Sequence, residues 1–373
     1  MNERSPDIFA RLGISRIINA ADTYTVFGGG PMSPPVLQAM AEASSGHVQI
    51  VELFDAIAAR LATLTGNEAA LVTSGAGAAI VLAVAAAIAG TAPANIEAAP
   101  NHRTLRREVI VLCAQRNQYD RMIRIAGGQV REAGYSDGTT GWQLQDAITE
   151  QTAAILWFAG TQFEHYALDF ATVAAIGRDK GVPVIVDAAA QFPPASNLIF
   201  YTSNGADAVA FSGGKGLRGP QNSGMLLGSE KLISVARLHA FPRAAIGRPM
   251  KISKEDACGL LVAVELALSL DEDAEYARYL RQCEEIVASL SGLAEAQPAI
   301  VPRGHLGQYY PRVRVDLTGA ADANAVAAAL AGNAPPIVVG RDALLTHTIF
   351  INPFSMAAGD AVQVTDAIRR ILR

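Results

Sequence analysis

Runs of one charge are missing from this chain. Its 373 residues hold 30 Lys and Arg against 35 Asp and Glu, and no basic cluster is long enough to track a phosphate backbone, so no nucleic-acid partner is expected. Cysteine is scarce: Cys113, Cys258 and Cys283 lie far apart and share no CxxC or CxxH spacing with the six histidines. That pattern excludes a disulfide framework and a zinc site, and it fits reduced thiols in the cytoplasm. The apolar run of a signal peptide is missing too, since charges fall within Met1 to Asp7. What is plentiful is hydrophobic surface, 50 % of residues against 17 % charged, which excludes global disorder. The uncharged stretch 69–96 has the length of a membrane span. It holds Thr73 and Ser74, consists mostly of small residues and lacks aromatic anchors, so it reads as a strand running into a buried helix, with no membrane partner expected.

Periodicity gives the organisation. Ile50, Leu53, Phe54, Ile57, Leu61 and Leu64 follow helical spacing and stop at Thr65-Gly66. Short apolar runs at 70–73, 109–112, 129–132, 154–158, 182–186, 208–211 and 225–227 then alternate with helical patterns at 119–126, 144–149 and 170–180. Continuous apolar strands separated by helices predict an α/β fold whose mainly parallel sheet is covered on both faces, with ligands at the carboxyl ends of its strands. Helical patterns at 253–270 and 272–290 lead to strand-like 312–317, 336–339 and 348–351 and helices at 323–331 and 360–372. The expected division is an N-terminal segment 1–48, a large domain 49–248 and a small α+β domain 249–373.

Familiar motifs fail. The run Gly75-Ala76-Gly77-Ala78-Ala79-Ile80 has Ile80 where a dinucleotide loop needs its last glycine. Gly214-Lys215 is followed by Gly216 where a P-loop needs Ser or Thr, and neither HExxH nor GxSxG occurs. Three strand ends survive. The apolar run to Val186 ends in Asp187; the run to Phe211 enters Ser212-Gly213-Gly214-Lys215-Gly216; and Thr73 enters Ser74-Gly75-Ala76 at a helix start.

Each has a plain structural explanation. An Asp after a strand caps a turn, a Lys among glycines is solvated, and a Ser-Gly-Ala helix start packs tightly. Their joint occurrence supplies what pyridoxal 5'-phosphate requires: Lys215 to form the Schiff base, Asp187 to keep the pyridine nitrogen protonated, and Ser74, Gly75, Ala76 and Ser212 to hold the phosphate. The glycines beside Lys215 would let a flat ring approach. Arg312 and Arg314 alternate with Val313 and Val315, so one of them, Arg312 in our assignment, would bind a carboxylate, although a solvated edge strand accounts for both as well.

The chain resembles fold-type I pyridoxal phosphate enzymes of the selenocysteine synthase-like group, within it the branch of D-glucosaminate-6-phosphate ammonia lyase-type proteins. The resemblance is carried by Ile18-Asn19-Ala20-Ala21 with Thr23-Tyr24-Thr25, by Thr65 to Gly75, by Val186-Asp187-Ala188-Ala189-Ala190-Gln191, and by Phe211-Ser212-Gly213-Gly214-Lys215-Gly216-Leu217-Arg218-Gly219-Pro220-Gln221. It implies Lys215 as the Schiff-base lysine, Asp187 as the pyridinium partner and Ser212 as a phosphate ligand, and adds Gln191 to the cofactor residues. It also implies a homodimer or higher homo-oligomer, with Gly219-Pro220-Gln221 near a neighbouring subunit's phosphate. Gln115-Arg116 align where relatives often place His-Arg, which would set Gln115 against the ring and Arg116 near the substrate; a polar loop explains the pair equally well. Tyr24, Thr25 and Arg218 are further candidate substrate contacts. The implied activity is a lyase that eliminates ammonia from a small amino acid or amino sugar acid with a β-leaving group. Racemisation or retro-aldol cleavage shares the same carbanion logic. With 18 residues ahead of Asn19, no N-terminal tRNA-binding region is expected, which argues against a tRNA-dependent selenium transferase.

Overall fold

The computed structural model describes residues 7–101, 105–319 and 322–372; Met1 to Pro6, with the charges of Glu3 and Arg4, lie outside them. Its strands are β1 (Ile18–Ala20), β2 (Ala69–Thr73), β3 (Glu108–Leu112), β4 (Gln129–Ala133), β5 (Thr152–Phe158), β6 (Val184–Asp187), β7 (Ala208–Ser212), β8 (Gly224–Gly228), β9 (Ala296–Val301), β10 (Arg312–Leu317), β11 (Ile337–Arg341) and β12 (Thr348–Ile351). A 7-stranded sheet has the order β2-β8-β7-β6-β5-β3-β4, and a 5-stranded sheet has the order β1-β11-β12-β10-β9.

The large sheet is parallel except for β8, which runs antiparallel to both β2 and β7. Its central strands are buried on both faces, as their unbroken apolar runs require. The helix Ala76–Ala89 occupies most of the uncharged stretch and is buried along nearly its whole length. A helix apolar all round belongs inside a protein or a bilayer. Here it packs on β5 to β8, and among the described residues no helix is long and apolar enough to cross a membrane. The helix Ile50–Thr65 ends where the sequence places its stop, with Gly66 in the left-handed region at φ 70°.

The chain divides into two compact units, and not at 48/49 and 248/249. One unit comprises Gly30–Leu270 with His305–Gln308; the other comprises Met1–Gly29, Asp271–Gly304 and Tyr309–Arg373. The helix Lys254–Ser269, which sequence patterning assigns to the small domain, packs against helices Pro34–Ser44 and Ile50–Thr65 of the large unit. The N-terminal segment contributes β1, which pairs in parallel with β11 and buries Ile18 and Ala20 in the small unit's core. In β10 the alternation holds: Val313, Val315 and Leu317 are buried, and Arg312 and Arg314 lie on the other face.

Candidate active site

The carboxyl edge of the large sheet collects the predicted residues strand by strand. Asp187 ends β6 and pairs with Ala210 of β7. Two residues further along β7, Ser212 pairs with Gly224 of β8, and Gly224 pairs in turn with Thr73 of β2. Neighbouring strands lie about 4.8 Å apart, so this register sets Asp187, Ser212 and the Ser74-Gly75 turn along one edge in sequence-independent order.

Asp187 is buried, with 9 % exposure. Its Oδ1 accepts the Ala189 N–H at 3.0 Å. Burial pushes its carboxyl above the ordinary carboxylate range, while that N–H and the charge of Lys215 pull it back. Lys215 therefore stands within electrostatic reach of the buried acid, 28 residues away in sequence but on the next strand's exit loop.

The loop after β7 is held backbone to backbone. Gly213 N–H donates to Ser223 O, Gly219 N–H to Gly213 O, and Gly30 N–H to Gly214 O, each at 2.8 Å. A Cβ on Gly214 would lie 2.5 Å from Gln221 Cα, and one on Gly216 would lie 2.0 Å from Phe192 O. Close approach of protein to protein by itself excludes side chains at both positions.

At the other end of the edge, Gly75 has φ 92° and ψ 165° and starts the helix Ala76–Ala89 without a side-chain cap. The first amides of that helix have no intrahelical acceptor and suit an anion. The Ser74 hydroxyl donates to Met250 O at 3.0 Å, so the donors at this end are the backbone amides at Ala76 and after.

Other candidates are placed differently. Gln115 is fully buried; its Nε2 donates to Phe158 O at 2.8 Å and its Oε1 accepts Phe158 N–H at 3.1 Å. It thereby replaces a missing strand neighbour where β3 and β5 part. Gln191 Nε2 donates to Ala159 O and Leu306 O, tying β6's exit to the segment His305–Gln308. Arg116 forms ion pairs with both Asp120 and Glu132, a guanidinium already neutralised by the protein.

Tyr24, Thr25 and Arg312 belong to the smaller unit. Thr25 is exposed and opens a short 3-10 turn. Arg314 pairs with Asp316 at 2.8 Å. Arg312 instead stacks over Phe350, 4.1 Å from its centroid, and its Nε is buried without a hydrogen-bond partner among the described residues. Burial lowers its pKa, and the nearby Asp22 carboxylate opposes that. Sequence reasoning passed over Asp22, which is 5 % exposed and accepts the Thr23 N–H at 2.7 Å and the Tyr310 hydroxyl at 3.2 Å. The available signal was an acid lodged inside the Asn19-to-Thr25 segment that carries the resemblance.

The model of the family described as "SelA: L-seryl-tRNA selenium transferase" matches residues 49–295. The chain belongs to the SelA family. It is 30 % identical over 378 aligned residues to D-glucosaminate-6-phosphate ammonia lyase of Salmonella typhimurium, covering 98 % of each chain. It is 32 % identical to 5'-C-glycyluridine monooxygenase-decarboxylase of a Streptomyces species, over 76 % of this chain and 70 % of the relative. The solved structure of D-glucosaminate-6-phosphate ammonia-lyase superposes with a TM-score of 0.84 at 28 % identity, covering 99 % of both chains. This SelA-family chain thus has the fold of type I pyridoxal phosphate enzymes, with a large, mostly parallel central sheet and helices about it.

Proposed function

We propose that the protein is a pyridoxal phosphate-dependent ammonia lyase acting on a small amino acid or amino sugar acid with a leaving group on its β-carbon. The observation that carries this reading is the buried Asp187 carboxylate standing in the field of Lys215 at the carboxyl edge of the large sheet. The near-full-length similarity to an ammonia lyase supports the reaction class.

The donor set fits the cofactor. Lys215 offers an amine for its aldehyde. Asp187 offers an anion for its ring nitrogen, and the free amides after Gly75 with the Ser212 hydroxyl offer donors for its phosphate. Gln115 and Gln191 would line the site, with their amide donors spent on backbone carbonyls. When bound, the cofactor supplies an electron-withdrawing ring that stabilises negative charge at the substrate α-carbon.

Asp187 would keep that ring's nitrogen protonated through a charge-assisted hydrogen bond that burial strengthens. Lys215 Nζ would be the group that takes the substrate α-proton. Loss of that proton and of the β-group leaves an unsaturated amine, which water converts to a keto acid and ammonia. Arg312 is assigned the substrate carboxylate on its chemistry, since its Nε is buried with no hydrogen-bond partner among the described residues. Tyr24 and Thr25 remain candidate substrate contacts. Arg116 receives no substrate role, because Asp120 and Glu132 balance its charge. We further propose a cytoplasmic homo-oligomer, in which the exposed Gln221 faces a neighbouring subunit.

The test is the visible spectrum of the purified protein before and after borohydride, followed by mass mapping. The expected result is a coloured protein whose reduced adduct maps to Lys215. A protein that stays colourless with added cofactor, or an adduct on another lysine, overturns the assignment. Product analysis then separates ammonia release from an inverted stereocentre or an aldehyde.

A further inference from the structure

Arg218 is the one described residue other than glycine with a positive φ, at 56°. A side chain in that left-handed region crowds its own backbone, and glycine does not. Every other described residue with a positive φ is glycine, and the loop itself already uses glycine at 213, 214, 216 and 219. An arginine is therefore kept where the backbone favours having no side chain. Strain of that kind concentrates at functional sites.

Its position is fixed from three sides. Arg218 N–H donates to Lys215 O at 3.0 Å, closing a tight turn directly after the lysine. Leu217, between them, is buried at 3 % exposure and anchors the turn. A Cβ on Gly30 would lie 2.8 Å from Lys215 O and 3.4 Å from Arg218 Cγ. Gly30 therefore clears room for both the turn and the root of the arginine side chain. The guanidinium that leaves this turn is half-buried, permanently charged and shaped as a planar fork, which matches a carboxylate or phosphate better than an ammonium does.

We propose that Arg218 is a specificity-determining residue that recognises an oxyanion of the substrate, carboxylate or phosphate, beside Lys215. The inference rests on the lyase reading of the site. It is tested on cofactor-loaded wild type, Arg218→Gly and Arg218→Lys with D-glucosaminate 6-phosphate and D-glucosaminate as probes. Arg218→Gly should keep the cofactor absorbance and hold or raise Tm, by roughly 1–3 °C, because the left-handed turn relaxes. Its KM for D-glucosaminate 6-phosphate should rise at least about tenfold with a smaller change in kcat, and Arg218→Lys should recover part of the loss. A loss confined to the phosphorylated probe identifies a distal phosphate as the group recognised; an equal loss on both identifies the carboxylate. An unchanged KM, a bleached cofactor or a Tm lowered by several degrees overturns the proposal. If wild type is coloured but turns over neither probe, the fault lies with the lyase reading. Calorimetric titration of inorganic phosphate into both loaded proteins then decides the role of Arg218. Binding at least about tenfold weaker in Arg218→Gly upholds it, and equal or absent binding in both overturns it.

Discussion

Gly224 touches Gly75 so closely that a methyl group on Gly224 would lie 2.6 Å from the Gly75 carbonyl carbon and 2.8 Å from the Ala76 nitrogen. The contact links the first residue of β8 to the helix start that would hold an anion. Neither backbone can move without the other, because Gly224 also pairs with Thr73 and Ser212. In Gly224→Ala the Ala76 amide must shift. Affinity for pyridoxal phosphate should fall by about 1.5–3 kcal/mol, roughly 10- to 100-fold, while affinity for pyridoxal lacking the phosphate stays level. Equal losses for both would place the phosphate elsewhere.

Lys215→Ala should abolish the borohydride-trapped adduct and lower kcat by at least about 10³-fold, since the same amine is assigned both cofactor attachment and the α-proton. Added methylamine should restore a measurable part of the rate. Full activity without the lysine would remove it from the chemistry.

Asp187 makes a prediction about pH. Burial raises its folded-state pKa above the ordinary value of 3.8, although Ala189 and Lys215 oppose the shift. Between those two values the native apoprotein binds more protons than the unfolded chain, so stability falls as pH rises through that window and stays lower above it. Asp187→Asn removes this ionisation. The apo variant should lack that fall, seen by denaturant titration from pH 4 upward on a pH axis spanning about 4–7. Its cofactor affinity should drop by about 2–4 kcal/mol, the usual loss for one partner of a buried charge pair. A variant with wild-type pH dependence and undiminished cofactor binding would separate Asp187 from the ring nitrogen.

Much of this was legible in the sequence, for identifiable reasons. The helices Phe170–Lys180, Glu272–Leu290 and Ala323–Ala331 and the strands Arg312–Leu317 and Thr348–Ile351 match their patterns residue for residue, because each is long or regular enough to show its period. β1 was hidden, since three residues carry no period and its partner β11 lies more than three hundred positions away. The Asp187, Ser212 and Lys215 strand ends were visible because apolar runs stop abruptly there. The task of Gln115 was not, since a side chain standing in for a strand neighbour leaves no mark in sequence. Asp22 stayed unnoticed for a similar reason: its hydroxyl partner, Tyr310, is 288 residues distant.

Arg116 separates the sequence alignment from the geometry. Asp120, at 3 % exposure, depends on Arg116 for charge compensation. Arg116→Ala should therefore destabilise the fold by about 2–4 kcal/mol, because a buried carboxylate loses its partner, and leave KM within about twofold. Adding Asp120→Asn should return most of that stability. A large KM increase in a fully stable Arg116→Ala protein would reinstate it as a substrate contact.

Arg312 should behave in the opposite sense. Its guanidinium is partly desolvated over Phe350, with Nε lacking a hydrogen-bond partner among the described residues, so the free protein carries a cost that an incoming anion would relieve. Arg312→Met retains much of the side-chain volume over Phe350 while removing the charge. Stability should hold or rise, by up to about 1 kcal/mol, since apolar replacement of a poorly compensated buried charge is often favourable. KM should increase by about 30-fold or more, because the substrate carboxylate loses a charge-assisted pair of about 2 kcal/mol. The paired comparison is needed because a purely structural arginine, stacked on Phe350 and held in the field of Asp22, would lose stability and leave KM unchanged. Equilibrium denaturation and steady-state kinetics on one preparation decide between the two, and a destabilised variant with the wild-type KM would return Arg312 to the framework of the small sheet.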